Sequence, residues 1–235
     1  MRIFSPLLLT LLMATGCNAD ESDIKKNLES RFPGIQVQSV GKSPVDGLYE
    51  VVVAGNEIIY ADAKAQYIVT GEMIQTENRR SVTRERLDKL NEVKFDSLPL
   101  DQAIKDVRGD GKRVMAVFSD PDCPYCRKLE HELAKVDNVT IYTFVYPLPM
   151  HADAPRKSRL VWCSADRVQA WKELMMNGKV PSGKEDCANP IETNLALGQK
   201  LNVSGTPAII LANGKRLPGY VPADRLNALL DEASK

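Results

Sequence analysis

Two hydrophobic periods take turns along this chain. In residues 22–30 apolar side chains recur at helical spacing, with Ile24 and Leu28 on one face, and the pattern stops at Phe32-Pro33-Gly34. Residues 48–54, 57–61 and 67–74 are rich in β-branched and aromatic side chains, and the breaks at Gly55-Asn56 and Asp62-Ala63-Lys64 suit tight turns. Residues 20–81 are therefore expected to form a small α+β unit, one helix and an antiparallel meander. Such a unit is marginal alone and leaves edge strands that need covering. A second copy of the chain or the remainder of the same chain would serve equally.

Residues 82–97 carry many charges with Leu87 and Leu90 at helical spacing, which predicts a linker helix. From residue 98 to 235 helix and strand alternate. The pattern predicts a helix near 101–107, a strand at 114–118, a helix at 127–136 and a strand at 139–146. Helical segments at 156–169 and 170–177 come next, then an insertion at 178–189, a helix holding 193–201, a strand at 208–211, an Asn213-Gly214 turn, a strand at 215–220 and a last helix from Ala223. This is α/β organisation.

Charge narrows the function. The 31 basic and 31 acidic residues cancel, so nothing favours a nucleic-acid partner. Arg2 is the one charge in residues 1–19, where Leu7-Leu8-Leu9-Thr10-Leu11-Leu12-Met13 is too short to span a bilayer and small residues surround Cys17-Asn18-Ala19. That pattern predicts an export signal, cleaved after Ala19 to release a soluble periplasmic protein, with lipidation of Cys17 as the alternative. Four of the five cysteines then remain, an even number suited to an oxidising compartment.

The chemistry concentrates at Cys123-Pro124-Tyr125-Cys126, between the predicted strand at 114–118 and a predicted helix. Unpaired N–H groups and the positive dipole end of a helix favour a thiolate on Cys123, the expected nucleophile. Pro124 fits the first helical position, and Cys126, one turn on, is the expected resolving thiol. Zinc ligation by the same pair would want a second close ligand pair, whereas Cys163 and Cys187 lie far apart and the histidines are His131 and His151. Asp122 beside Cys123 opposes the thiolate. Cys163 and Cys187 are expected to pair as a structural disulfide worth roughly 3 to 4 kcal/mol, the alternative being two free buried thiols. No metal or organic cofactor is expected.

The order of elements resembles a thioredoxin-like domain with a helical insertion. In that fold the proline of Gly205-Thr206-Pro207 lies in cis beside the cysteine pair, which implies a substrate contact at Thr206-Pro207, joined by Pro124 and Tyr125, and a Thr206 hydroxyl able to tune Cys123. With Phe118-Ser119-Asp120-Pro121-Asp122-Cys123-Pro124-Tyr125-Cys126, Trp162-Cys163 and Val203-Ser204-Gly205-Thr206-Pro207-Ala208, residues 20–235 resemble the DsbC/DsbG family of periplasmic disulfide isomerases. The resemblance implies a homodimer joined through the N-terminal units, a catalytic domain at 98–235, misoxidised secreted proteins as substrates, and reduction by the membrane reductase DsbD. Pro124 departs from the glycine usual in DsbC of enteric bacteria. A DsbG-like reductase, a DsbA-like thiol oxidase and a holdase chaperone therefore stay open beside the isomerase.

Overall fold

The computed structural model describes residues 21–235, so the expected export signal and Cys17 lie outside the described residues. Contacts divide the chain into two compact units that meet between Glu72 and Met73. In the first, α1 (Glu21–Arg31) buries Ile24 and Leu28 against a four-stranded antiparallel sheet in the order β1-β2-β3-β4. Its strands are β1 (Val37–Lys42), β2 (Leu48–Val53), β3 (Glu57–Asp62) and β4 (Ile68–Thr70). The β2-to-β3 turn works because Gly55 and Asn56 both adopt positive φ, +85° and +57°, which these two residue types tolerate best.

The expected strand at 67–74 is shorter than its composition suggested. Gly71, at φ +123°, ends β4, and Ile74 belongs to a separate hairpin in the second unit. β1 was not anticipated, because Gly41 and the polar residues Gln38 and Ser39 dilute its pattern; pairing with β2 supplies the order that composition does not. β1 and β4 are the two edges of this sheet, and β4 exposes Val69 beside an exposed Tyr67.

The second unit opens with the hairpin β5 (Ile74–Gln75) and β6 (Arg80–Ser81), followed by α2 (Val82–Leu90). The Ser81 side chain caps α2 by accepting from the Arg84 N–H at 3.1 Å. The region 101–107, expected as a helix, is a short turn at Leu100–Gln102 followed by β7 (Ile104–Arg108). Ile104 is buried while Lys105 and Val107 face outward, and β9 offers a free edge, so sheet pairing overrides a weak helical period.

The central sheet has the order β11-β10-β8-β9-β7. Its strands are β8 (Arg113–Ser119), β9 (Val139–Val145), β10 (Ala208–Leu211) and β11 (Arg216–Pro218), with β8 and β9 parallel and the remaining pairs antiparallel. β8 reads as a continuous apolar run because both of its faces are covered. Met115 and Val117 pack with α3 (Pro124–Leu133) and α7 (Ala223–Ala233), whereas Ala116 and Phe118 pack with Val93, Phe95 and residues of α6 (Ile191–Lys200). The inserted helices are α4 (Ala154–Trp162) and α5 (Arg167–Asn177). The helix expected at 156–169 breaks between them because the Asp166 carboxylate accepts from the Gln169 N–H at 2.9 Å and starts a new helix.

Candidate active site

The redox pair lies where β8 hands over to α3. Cys123 is the N-cap residue, with extended φ and ψ of −71° and 121°, and Pro124 takes the first helical position, where its missing N–H leaves no gap. The Cys123 carbonyl accepts from Cys126 and Arg127, so the sulfur-bearing residue sits on the positive end of the helix. Tyr125 is 62% exposed and points away from the core.

The two thiols are free and both are buried, Cys123 keeping 5% exposure. Cys126 is fully buried, and burial pushes its thiol up to about 12. The Ser119 hydroxyl, the Asp120 N–H at 3.4 Å and the Thr206 hydroxyl draw it back in part, while Cys123 pushes it further. The Cys123 thiol donates to the Thr206 carbonyl at 3.3 Å, and the Thr206-Pro207 bond is cis. The Thr206 hydroxyl thus acts on Cys126. It does so as a dipole, because it lacks the geometry of a full hydrogen bond to any described residue.

The charge of Asp122, which its sequence position set against the thiolate, is paired. Its carboxylate is taken up by Lys157 at 2.5 Å and by Arg127 at 3.5 Å, and all three side chains belong to the rim of the site. Cys163, at the end of α4, is bonded to Cys187 with the Cα atoms 5.8 Å apart. Across 24 residues this closure stabilises the unit by about 3.5 kcal/mol in the chain-entropy model. Trp162 and Trp171 join Cys123 and Cys126 in one apolar cluster, which places the inserted helices directly behind the thiols.

Three groups escaped the sequence reading. Asp120, fully buried, accepts from the N–H groups of Asp122, Cys123 and Leu148. His151 lies against it, and Glu130, one turn beyond Cys126, accepts from Trp171 Nε1 at 2.7 Å. An aspartate two and three residues ahead of two backbone donors is a recognisable turn signal for Asp120. Nothing local marks His151 or Glu130, whose partners lie 31 and 41 positions away in sequence.

A family model described as the disulfide bond isomerase protein N-terminal domain matches residues 15–84, and one described as a thioredoxin-like domain matches residues 100–234. A Bordetella parapertussis protein named "Probable thiol:disulfide interchange protein DsbC" is 45% identical over 88% of this chain and 73% of its own length. The chain belongs to the DsbC family. An Escherichia coli (strain K12) DsbC, a thiol:disulfide interchange protein, is 29% identical over 97% of this chain and 96% of its own. The crystal structure of a disulfide interchange protein from Neisseria gonorrhoeae shares 43% identity and a TM-score of 0.57, covering 59% of this chain and 99% of its own. Membership of the DsbC family makes this chain an enzyme of thiol–disulfide exchange and isomerisation.

Proposed function

We propose that Cys123 attacks and Cys126 resolves in a periplasmic isomerase acting on misoxidised secreted proteins. The observation that carries this reading is the contrast within the pair. Cys123 takes the N-cap position with 5% exposure, whereas Cys126 is fully enclosed with its thiol pushed up to about 12. A substrate sulfur therefore meets Cys123 first.

The Cys123 thiolate forms a bond to one sulfur of the substrate disulfide, and the other substrate sulfur leaves as a thiolate. If a substrate thiolate then attacks the mixed disulfide, a new substrate disulfide forms and Cys123 leaves reduced, with no net electron transfer. If Cys126 loses its proton and attacks Cys123 instead, the substrate departs with both sulfurs reduced and the enzyme holds a Cys123–Cys126 disulfide. Two electrons from the membrane reductase DsbD would return it to the dithiol. The exposed Tyr125, together with Pro124, Thr206 and Pro207, frames the approach of an extended substrate segment to Cys123.

Residues 20–81 serve in this reading as a dimerisation unit, 82–97 as the linker and 98–235 as the catalytic domain. The exposed edge strand β4 supports dimerisation, since an uncovered edge is a template for pairing with another chain. Export through residues 1–19 would deliver the homodimer to the periplasm.

Two measurements test the assignment. Cys126→Ser is expected to accumulate mixed disulfides with secreted proteins while Cys123→Ser forms none; equal trapping by both refutes the roles. The reduced protein should restore scrambled ribonuclease faster than an equal concentration of dithiothreitol. Recovery no faster than with the small thiol would remove the isomerase.

A further inference from the structure

Resolution requires Cys126 to give up a proton, although burial pushes its thiol up to about 12. A sulfur anion enclosed in a core is stabilised by groups that already point at it. Three such groups converge on Cys126. β8 ends at Ser119, which is buried, and the next N–H along the chain, that of Asp120, donates to Cys126 Sγ at 3.4 Å. β10 pairs antiparallel with β8, Ala208 opposite Phe118, so Thr206 and Pro207 lie beyond the same end of β8. The hydroxyls of Ser119 and Thr206 both act on the Cys126 sulfur, and both favour its charged form.

The Thr206 hydroxyl is buried and has no hydrogen-bond partner among the described residues. A neutral thiol is a weak acceptor, whereas an ionised acceptor makes bonds roughly twice as strong as a neutral one. The polar groups around Cys126 are therefore better matched to the sulfur that attacks than to the thiol at rest, which is the difference that lowers a barrier. Cys123 opposes a charge on Cys126 while its own sulfur is free. In the mixed disulfide that sulfur is bonded to the substrate and carries no charge, so the opposition is gone when Cys126 attacks. We propose that Ser119 is a further catalytic residue, its hydroxyl joining the Asp120 N–H and the Thr206 hydroxyl in a cradle for the Cys126 thiolate during resolution. The inference rests on Cys126 being the resolving thiol. Cys126 Sγ forms a bond to Cys123 Sγ as the bond from Cys123 to the substrate sulfur breaks, and the departing sulfur regains the proton that Cys126 lost. The cradle thereby sets how often a mixed disulfide ends in reduction rather than in attack by a second substrate thiol.

Reaction of the reduced protein with the aromatic disulfide dithionitrobenzoate reads the two steps separately. Attack by Cys123 releases one thionitrobenzoate at a rate proportional to the reagent, and attack by Cys126 releases the second at a rate independent of it. Ser119→Ala should lower the second rate relative to the first by about three- to tenfold, the effect of losing one hydrogen bond. Ser119→Thr, which keeps the hydroxyl, should restore the ratio, a rescue that packing alone would not give. Thr206→Val should lower the same ratio, and Thr206→Ser should preserve it. A ratio unchanged in Ser119→Ala, or lowered as much by threonine as by alanine, overturns the proposal. If Ser119→Ala does not fold, the two Thr206 variants decide, and equal ratios in valine and serine overturn the cradle. A first release that survives Cys123→Ser overturns a different claim, the assignment of the attacking thiol.

Discussion

Gly198→Ala sets two effects of known sign against each other, and the structure decides between them. Gly198 lies in α6, where alanine in an ordinary helix would be favoured by about 0.8–1.0 kcal/mol. Here, however, an added Cβ would lie 2.2 Å from Cε2, 2.7 Å from Cζ and 2.9 Å from Oη of Tyr146. Carbon atoms pack at about 3.5–4.0 Å, so the ring would have to retreat by more than about 1 Å. It is not free to do so. Tyr146 is wedged edge-on against Phe118 at 5.6 Å, its N–H donates to the Ser119 carbonyl, and its hydroxyl donates to Val203 O at 3.4 Å.

Overpacking a core costs about 1–3 kcal/mol, and loss of the hydroxyl bond adds about 1 kcal/mol. After the helical gain is subtracted, a net loss of about 1–3 kcal/mol is expected. For a unit of this size a 2 kcal/mol loss lowers Tm by about 4–8 °C. Urea unfolding of wild type, Gly198→Ala, Tyr146→Leu and the double variant measures the coupling. With the ring removed, the alanine should become neutral or stabilising. If Gly198→Ala instead stabilises the wild-type background by the full helical increment, or costs the same with and without the ring, the steric argument is wrong.

Two further outcomes follow from the geometry. Burial raises the Glu130 carboxyl above its ordinary range, so the folded state keeps a proton that the unfolded chain releases; stability from this group is present below the unfolded carboxylate range and is lost as pH rises through the folded value. Glu130→Gln, which can still accept from Trp171, should therefore be more stable than wild type at neutral pH, with the gap closing in acid, and a gap independent of pH in urea titrations would refute this. A chain limited to residues 73–235 should sediment as a monomer that still reduces simple disulfides but isomerises scrambled ribonuclease poorly, whereas a full-length protein already monomeric at micromolar concentration would end the dimer proposal.

Much of the architecture was legible because it rests on local chemistry. The period of 3.6 placed Ile24 and Leu28 on one face, the apolar run at 114–118 announced the strand β8, and Asn213-Gly214 marked the turn between β10 and β11. The cysteine motif was legible for the same reason, since a strand, a proline and a helix start are all written within a few residues. β7 was misjudged as helix because its pattern spans too few residues to outweigh the edge of β9 that it fills. The partner of Asp122, Lys157, lies 35 residues away and could not be read from the motif. Which sulfur the Thr206 hydroxyl reaches, what the Asp120 carboxylate holds, and that His151 lies against it are set by chain segments that meet only when the sheet closes. Periodicity and capping act over a few residues and survive in the sequence; charge pairing and burial depend on distances in three dimensions, which only the packed chain defines.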